Sequence, residues 1–214
     1  MTSLTLSRLH FPVTTLGPGR RIGVWFQGCA IRCAGCISPD TWDPNMGKTT
    51  LGDVIASIAP WVPHADGLTI SGGEPFEQPD ALAEFLEAWR ALSDADVLVF
   101  TGFEFTAVER WLRTHPGLVD AVVAGPFRLD EPQTVALRGS DNQTLHLLTL
   151  KGEQHFAGYE RPAEAGDRRL DLMLDEDGGA WFAGIPGRGD FDRLRRVLRE
   201  GGHRMAMTER GVRP

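Results

Sequence analysis

Residues 21–36 of the chain read RIGVWFQGCAIRCAGC, an apolar run that leads directly into closely spaced cysteines. The apolar run predicts a buried β-strand, and the cysteines fall in the loop that follows it. Cys29, Cys33 and Cys36 are the only 3 cysteines among the 214 residues. An odd number of clustered cysteines is a poor disulfide framework and is typical of a metal site. This stretch therefore predicts both a strand of the fold and a candidate metal-binding loop.

The alternation of apolar strand and amphipathic helix continues beyond the cysteine loop. Such alternation is typical of an α/β fold with a mainly parallel sheet and right-handed crossovers. Ligands of such sheets bind at the carboxyl ends of the strands, so we expect the cysteine loop, residues 71–74 and residues 101–102 to share one site. The further predicted strands cover residues 67–71, 97–100, 118–124 and 144–150, and the predicted helices cover residues 50–58, 79–89 and 106–112.

The C-terminal part of the chain has a different pattern. Residues 175–179 read DEDGG between two apolar segments, which is a β-hairpin signal. A helix is predicted from about Asp190, with acidic residues first and arginines later. Residues 151–167 are polar with little periodicity, and we interpret them as a linker. We therefore expect a core over residues 1–150 and an extension over residues 151–214, in which linker, hairpin and helix pack on the same domain.

Composition and charge argue against several classes of function. The formal net charge is -7, with 42% hydrophobic and 24% charged residues. This negative balance argues against nonspecific binding to nucleic acid or to an anionic membrane surface. No apolar run approaches the roughly 18 residues that a membrane-spanning helix needs, and residues 1–10 lack the apolar core of a signal peptide. We expect a cytoplasmic protein that binds neither nucleic acid nor membranes.

Three thiolates suit a cluster that keeps one iron open. A [4Fe–4S] cubane has four irons, so three cysteine ligands leave one iron without a protein ligand. A small molecule can bind at that iron and receive an electron directly. A zinc site would need four ligands, and the segment around the cysteines contains no histidine. The spacing alone leaves open an iron–sulfur cluster, a zinc ion and unligated thiols.

The order of the motifs resembles the radical S-adenosylmethionine (SAM) superfamily. Cys29, Cys33 and Cys36 have the spacing Cys-x3-Cys-x2-Cys, and residues 72–75 read GGEP. Over residues 10–150 the chain is similar, within that superfamily, to proteins that activate glycyl radical enzymes such as anaerobic ribonucleotide reductase. The motifs that carry this closer similarity are GPGR (17–20), FQGC (26–29), CAGC (33–36), TW (41–42), SGGEP (71–75), TG (101–102), DAVVAG (120–125) and LRGSDNQ (137–143).

The resemblance implies a fold and two cofactors. The expected fold is the partial (β/α) barrel of radical SAM proteins, with residues 1–150 as its core. The expected cofactors are one [4Fe–4S] cluster, held by Cys29, Cys33 and Cys36, and SAM, bound at the open iron. The reduced cluster gives one electron to the SAM sulfonium, and SAM splits into methionine and a 5′-deoxyadenosyl radical that abstracts a hydrogen atom. The cofactors supply this chemistry, while the protein orients them and excludes side reactions.

The resemblance also implies which residues contact SAM. The glycines of the GGEP motif let the backbone approach a ligand closely, and the Glu74 carboxylate can accept from the SAM ammonium group. Arg138 can pair with the SAM carboxylate. No residue is assigned a direct part in catalysis. The residues expected to bind SAM are Ser71, Gly72, Gly73, Glu74, Thr101, Gly102 and Arg138.

The chain departs from the activating proteins at two places. Those proteins tend to have Asp-Gly-Lys after the fourth strand, where this chain has Ala124-Gly125-Pro126. Two plausible SAM contacts are thereby lost. The chain also continues beyond residue 150, where a hairpin and a helix could cover the open side of the barrel, narrow the substrate entrance or dock a partner.

Three functions follow as hypotheses. The first is a radical SAM oxidoreductase that activates a glycyl radical enzyme such as anaerobic ribonucleotide reductase, with flavodoxin or ferredoxin as the electron donor. The second keeps the same chemistry but modifies a peptide or a small molecule. The third is a noncatalytic iron–sulfur or metal-binding protein. The order of the motifs favours the first hypothesis.

Overall fold

The computed structural model describes residues 2–174 and 179–203 of the chain. Residues 175–178, where the hairpin turn is predicted, lie outside the described residues, as do residues 204–214. The strands are β1 (Ser3–Val13), β2 (Arg21–Phe26), β3 (Lys48–Thr50), β4 (Gly67–Gly72), β5 (Asp96–Thr101), β6 (Ala121–Ala124), β7 (Thr144–Leu147), β8 (Leu170–Leu174) and β9 (Ala180–Gly184). The helices are α1 (Leu51–Ile58), α2 (Pro79–Leu92), α3 (Phe105–Thr114), α4 (Leu150–Phe156) and α5 (Asp190–Glu200). No helix in the described ranges is long and apolar enough to cross a membrane.

A seven-stranded mixed sheet, in the order β3-β1-β2-β4-β5-β6-β7, forms the centre of the fold. Strands β2, β4, β5 and β6 pair in parallel, which confirms the predicted α/β class and the mainly parallel centre. All residues of β2 and β6 are buried, as expected of strands covered on both faces. The edges of the sheet are antiparallel, with β1 between β2 and β3, and β7 beside β6. The predicted C-terminal hairpin and helix are present as β8, β9 and α5.

Strand β7 differs from its prediction. It ends at Leu147 rather than at residue 150, and it runs antiparallel to β6. The connection between these two strands, residues 125–143, is described throughout and contains no helix. A parallel partner needs a long crossover, which is usually helical. The chain therefore turns back and pairs antiparallel.

Alternate side chains of β5 enter two hydrophobic layers on opposite faces of the sheet. Val97 and Val99 belong to the larger core cluster, which includes residues of α1, α2 and α3. Leu98 belongs to the second cluster, together with Phe156 of α4 and Met173 of β8. The first three helices therefore cover one face of the sheet, and residues of α4, β8 and β9 pack against the other.

The segment interpreted as a linker overlaps a helix, α4, and this part of the interpretation is wrong. Thr149 caps α4, and its hydroxyl accepts the Gly152 N–H at 3.0 Å. Gly152 passes so close to Asp120 that a Cβ would lie 2.0 Å from the Asp120 carbonyl oxygen. Phe156 is fully buried. This helix is held by one aromatic side chain and one close backbone contact. An apolar face that repeats along the helix is not needed for these contacts, so the sequence did not predict the helix.

Strand β1 is not among the predicted strands. Its first side chains alternate, with Leu4 and Leu6 buried and Ser3 and Thr5 at least partly exposed. A period of two is the pattern of a half-buried strand, so the signal is present in the sequence. Through its pairing with β2, strand β1 lies beside the strand that leads into the cysteine loop.

A buried ion pair joins the amino ends of three parallel elements. Arg21, at the start of β2, is fully buried and donates through Nη2 to Asp96 Oδ1 of β5 at 2.5 Å. Its Nε donates to Thr69 Oγ1 at 2.6 Å, and its Nη2 donates to the Leu68 carbonyl at 2.8 Å, both on β4. His155 Nδ1 of α4 lies 2.7 Å from the other Asp96 oxygen. The pair therefore links β2, β4, β5 and the C-terminal extension.

Replacement of Asp96 by asparagine is expected to destabilise the fold strongly. In Asp96→Asn the Arg21 guanidinium stays buried without a countercharge, which costs about 3–5 kcal/mol of unfolding free energy. Glu109→Ala is the matched control because its ion pair with Arg113 lies on the surface of α3, where such a pair contributes about 0.3–0.5 kcal/mol. Denaturant unfolding measures both variants, and equal losses would contradict the role of the buried pair.

Candidate functional site

A cavity of about 630 Å³ opens at the carboxyl edge of the parallel strands. Small-molecule sites typically have volumes of about 300–1,000 Å³. The structure brings together the motifs that follow β2, β4 and β5, as expected from parallel strands, whereas Arg138 does not line this cavity. The predicted site residues in the cavity lining are Cys29, Cys33, Cys36, Ser71, Gly72, Gly73, Glu74, Thr101 and Gly102.

The cysteine loop and the glycine turn after β4 are in direct backbone contact. The Gly73 N–H donates to the Phe26 carbonyl and the Glu74 N–H donates to the Gly28 carbonyl, both at 2.8 Å. A Cβ at Gly73 would lie 2.2 Å from the Gly28 oxygen, and Gly72 has a φ of +104°. The fold itself therefore requires glycine at both positions. The sequence predicts that the glycine backbone approaches a ligand closely. In the structure, the backbone of Gly73 instead lies close to the backbone of the cysteine loop.

Gln27 closes the cysteine loop at its base. This side chain is buried, and its Nε2 donates to the carbonyls of Asp40 and Asp43 at 3.1 and 2.8 Å. The adjacent Gly28 N–H donates to the Thr41 carbonyl at 2.7 Å. Buried amide groups satisfied in this way fix the backbone that they contact. The cysteines therefore lie on a loop whose two ends are held together.

The thiols of the loop are free and only partly exposed. Burial raises the pKa of Cys29 and of Cys36. Backbone N–H groups oppose this shift, those of Arg32 and Ile31 at Cys29 and that of Ser38 at Cys36. The Ser38 N–H donates to Cys36 Sγ at 3.4 Å. Desolvation disfavours a thiolate unless a cation binds it, so these surroundings favour thiolates that are metal ligands.

The donor set of the loop suits a cluster that keeps one iron open. Cys29, Cys33 and Cys36 line one cavity, and three thiolates leave one iron of a cubane without a protein ligand. Within residues 2–174 and 179–203, no group of three Cys, His, Asp or Glu side chains is placed to hold a metal ion.

The Glu74 carboxylate joins the end of β4 to the end of β5. It is fully buried and accepts the Thr101 hydroxyl at 2.8 Å, the Gly102 N–H at 2.8 Å and the Phe76 N–H at 3.0 Å. Burial raises the pKa of Glu74 to about 7, with a smaller contribution from Glu77, while the three hydrogen bonds oppose the shift. A carboxylate has about four lone-pair sites, and three of them are occupied by these hydrogen bonds.

Arg138 lies apart from the other predicted site residues. Its side chain is 4% exposed and is paired with Glu160. Its Nε and Nη1 are buried and have no hydrogen-bond partner in the described part of the chain. The neighbouring residues Gly139 and Gln143 do line the cavity. The pairing of Arg138 with the SAM carboxylate stays a prediction.

Two segments that the motifs did not single out complete the wall of the cavity. Phe127 and Leu129 follow β6, and a Cβ at Gly35 of the cysteine loop would lie 3.2 Å from Leu129. Phe182 and Ile185 of the C-terminal extension also line the cavity. We call these two segments the far wall. Phe127 and Leu129 lie between the DAVVAG and LRGSDNQ motifs, whereas Phe182 and Ile185 are distant in sequence from every motif. For that second segment, only the length of the extension signals that it reaches the site.

The family profile described as a 4Fe-4S single cluster domain matches residues 15–146 of the chain. The match includes the cysteine loop, the turn after β4 and the end of β5. The chain is therefore an iron–sulfur protein of the single-cluster class.

Known activating proteins are similar to the chain. The anaerobic ribonucleoside-triphosphate reductase-activating protein of Salmonella typhimurium is 30% identical over 148 residues, covering 65% of this chain and 96% of that protein. The protein of the same name from Enterobacteria phage T4 is 27% identical over 136 residues, covering 60% of this chain and 85% of that protein. The pyruvate formate-lyase-activating enzyme of Clostridium pasteurianum is 34% identical over 153 residues, covering 69% of this chain and 58% of that enzyme.

The chain belongs to the 4Fe-4S single cluster domain family, and it is similar to these activating proteins. The resemblance found in the sequence is thereby confirmed, as is the predicted [4Fe–4S] cofactor. The family match ends at residue 146, so the C-terminal extension lies beyond it.

The free energy of unfolding is expected to depend on pH through Glu74. Its pKa of about 7 in the folded chain lies above the ordinary value of 4.5. The folded state therefore holds the Glu74 proton more tightly than the unfolded state. Protonation of Glu74 increases the free energy of unfolding at low pH, and this contribution is lost as the pH rises from about 5 to 8. Glu74→Gln has no such titration. The unfolding free energy of the unmutated chain minus that of Glu74→Gln should fall by about 3 kcal/mol over this interval.

The matched control for this experiment is Glu87→Gln, on the exposed surface of α2. For that variant the difference should stay constant with pH. Denaturant unfolding of the cluster-free chains at several pH values measures both differences. A Glu74→Gln difference that does not change with pH would mean that the carboxylate does not titrate in this range.

Proposed function

We propose that the chain is a radical SAM enzyme that activates a glycyl radical enzyme such as an anaerobic ribonucleotide reductase. The observation that carries the proposal is the convergence of the cysteine loop, residues 71–74 and residues 101–102 on one cavity. The similar proteins are named as activators of an anaerobic reductase and of pyruvate formate-lyase, which supports the same function. The parallel centre of the sheet supports a further assignment, to the partial (β/α) barrel of radical SAM proteins.

In this proposal Cys29, Cys33 and Cys36 hold the [4Fe–4S] cluster, and SAM binds in the adjacent cavity. When bound and reduced, such a cluster would supply the electron that splits SAM into methionine and a 5′-deoxyadenosyl radical, which would take a hydrogen atom from a glycine of the partner. The protein positions the cluster and SAM and shields them in the cavity. Its closed loop keeps the thiols in place, and apolar side chains such as Phe182 and Ile185 line the cavity beside them.

The turn after β4 would hold the methionine end of SAM. Residues 71–73 bring backbone groups to the surface of the cavity. The free lone-pair site of Glu74 can accept the ammonium group, and that positive charge favours the ionised carboxylate. Residues 101–102 orient the carboxylate through their hydrogen bonds. For Arg138, which does not line the cavity, the pairing with the SAM carboxylate is proposed on the resemblance alone.

A separate protein would supply the electron. All 3 cysteines of the chain serve the one cluster, so no cysteine is left for a second centre. We therefore propose flavodoxin or ferredoxin as the reductant. The free thiols suit a reducing compartment such as the cytoplasm.

We further propose that residues 151–214 share one domain with residues 1–150 and narrow the cavity. Met173 of β8 packs in the same cluster as Leu98 of the central sheet. The backbone N–H and the hydroxyl of Thr14 donate to the Asp171 carboxylate at 2.6 and 2.8 Å. Apolar and polar contacts thus both hold the extension against the core.

Arg188 fastens the two segments of the far wall to each other. Its Nη2 donates to the carbonyls of Arg128 and Glu131 at 3.1 Å each, and to that of Gly139 at 3.4 Å. Its guanidinium carbon lies over the Phe127 ring, 4.8 Å from the centroid. One side chain of the extension therefore bridges to the loop after β6.

Loss of the Arg188 side chain is expected to expose the cysteine loop. In the cluster-free chain, Arg188→Ala should raise the rate of cysteine alkylation by iodoacetamide severalfold, because the far wall separates more often. Arg193→Ala is the matched control, since that arginine pairs with Asp190 within α5. Mass spectrometry follows the time course. The same rate in both variants would show that Arg188 does not close the cavity.

Reconstitution tests the principal proposal. The anaerobically reconstituted, dithionite-reduced chain is expected to convert SAM to 5′-deoxyadenosine, measured by liquid chromatography. Cys33→Ala should lose both the iron–sulfur absorbance and the product, because two thiolates cannot hold the cluster. Ser57→Ala, on the exposed side of α1, should keep both. A stable cluster without product in the unmutated chain would instead favour a noncatalytic iron–sulfur protein.

The partner is tested by electron paramagnetic resonance. The reduced chain, SAM and an anaerobic ribonucleotide reductase from the same genome should together give the doublet of a glycyl radical. Omission of SAM is the control. Cleavage of SAM without a doublet would direct the search to a peptide or small-molecule substrate.

A further inference from the structure

The indole N–H of Trp42 is buried and has no hydrogen-bond partner within the described residues. Trp42 lines the same cavity as the cysteines. A buried donor without an acceptor costs about 1–3 kcal/mol. For Trp42, which borders the cavity, a group bound there can supply the acceptor.

The backbone around Trp42 fixes the ring beside the cysteine loop. Its carbonyl accepts the Cys29 N–H at 3.2 Å, and its own N–H donates to the Pro39 carbonyl at 3.2 Å. Trp42 and Cys36 line the same cavity, and the indole is a side-chain neighbour of that thiol. The indole N–H forms no hydrogen bond to the neutral thiol that meets normal geometry, so it stays available to a stronger acceptor on the loop.

We propose that the Trp42 indole N–H donates a hydrogen bond to the Cys36 sulfur when the loop holds its iron–sulfur cluster, and thereby raises the reduction potential of that cluster. The inference rests on the proposed function only in requiring the cluster. A thiolate is a stronger acceptor than a thiol, so ligation of iron completes the contact. Trp42 is in this sense a tuning residue, since it does not touch the reacting atoms of a substrate.

The direction of the effect follows from charge. Reduction adds one negative charge to the cluster, and a donor aimed at a ligand sulfur stabilises the reduced form more than the oxidised form. Removal of the N–H therefore lowers the midpoint potential. A hydrogen bond that changes the one-electron equilibrium about tenfold corresponds to about 59 mV.

Trp89 provides a matched control within the same chain. Its indole N–H is also buried without a partner in the described residues. It lies in α2, fully buried in the larger core cluster, and does not line the cavity. Trp89→Phe therefore removes the same group from a position away from the cysteines.

The test is a redox titration of the reconstituted full-length chain, followed by the electron paramagnetic resonance signal of the reduced cluster. Trp42→Phe should shift the midpoint potential to a more negative value by an amount on the order of 59 mV, and Trp89→Phe should leave it unchanged. Equal potentials in all three proteins, or equal shifts in both variants, would overturn the inference.

A second measurement needs no mutation. Electron–nuclear double resonance on the reduced, unmutated chain with ¹⁵N-labelled tryptophan should show one exchangeable proton, lost in D₂O, and one ¹⁵N nucleus coupled to the cluster. The absence of both couplings would also overturn the inference. If the unmutated chain assembles no cluster, the proposed function fails as well. If the cluster forms but SAM is not cleaved, the comparison of midpoint potentials still tests whether the Trp42 N–H raises the reduction potential of the cluster.

Discussion

The buried ion pair between Arg21 and Asp96 is the constraint on which the rest of the architecture depends. Its hydrogen bonds join β2, β4 and β5 at their amino ends, where burial makes an unpaired charge costly. Three strands aligned at one end are also aligned at the other. The loops that follow them therefore emerge side by side. The Arg21 guanidinium also lies 5.4 Å from the centre of the Phe156 ring, so α4 is anchored to the same point.

At the opposite end of these strands, burial acts on groups that can become anionic. It raises the pKa of Glu74 and of the thiols Cys29 and Cys36. Each group regains its charged form when a cation binds beside it. The site therefore favours occupants that place positive charge beside these groups.

Local patterns predicted the centre of the fold and the lining of the site. Strands β2, β4 and β5 were readable because their apolar runs are buried on both faces, and the cysteine and GGEP motifs follow two of them directly. Contacts between segments that are distant in sequence could not be predicted from local patterns. Helix α4 depends on Phe156 and on the close approach of Gly152, and the far wall depends on the return of the extension to the cavity. The position of Arg138 beside Glu160 likewise follows from tertiary packing.

The contact of Gly73 with Gly28 also bears on how the cavity changes size. Two backbones that leave no room for even a methyl group move as one body, and no side-chain rotation separates them. The opposite side is held by the reversible hydrogen bonds and ring contact of Arg188. The thiols therefore lie on the side of the cavity where backbone packs against backbone. The opposite side depends on the contacts of a single exposed arginine side chain.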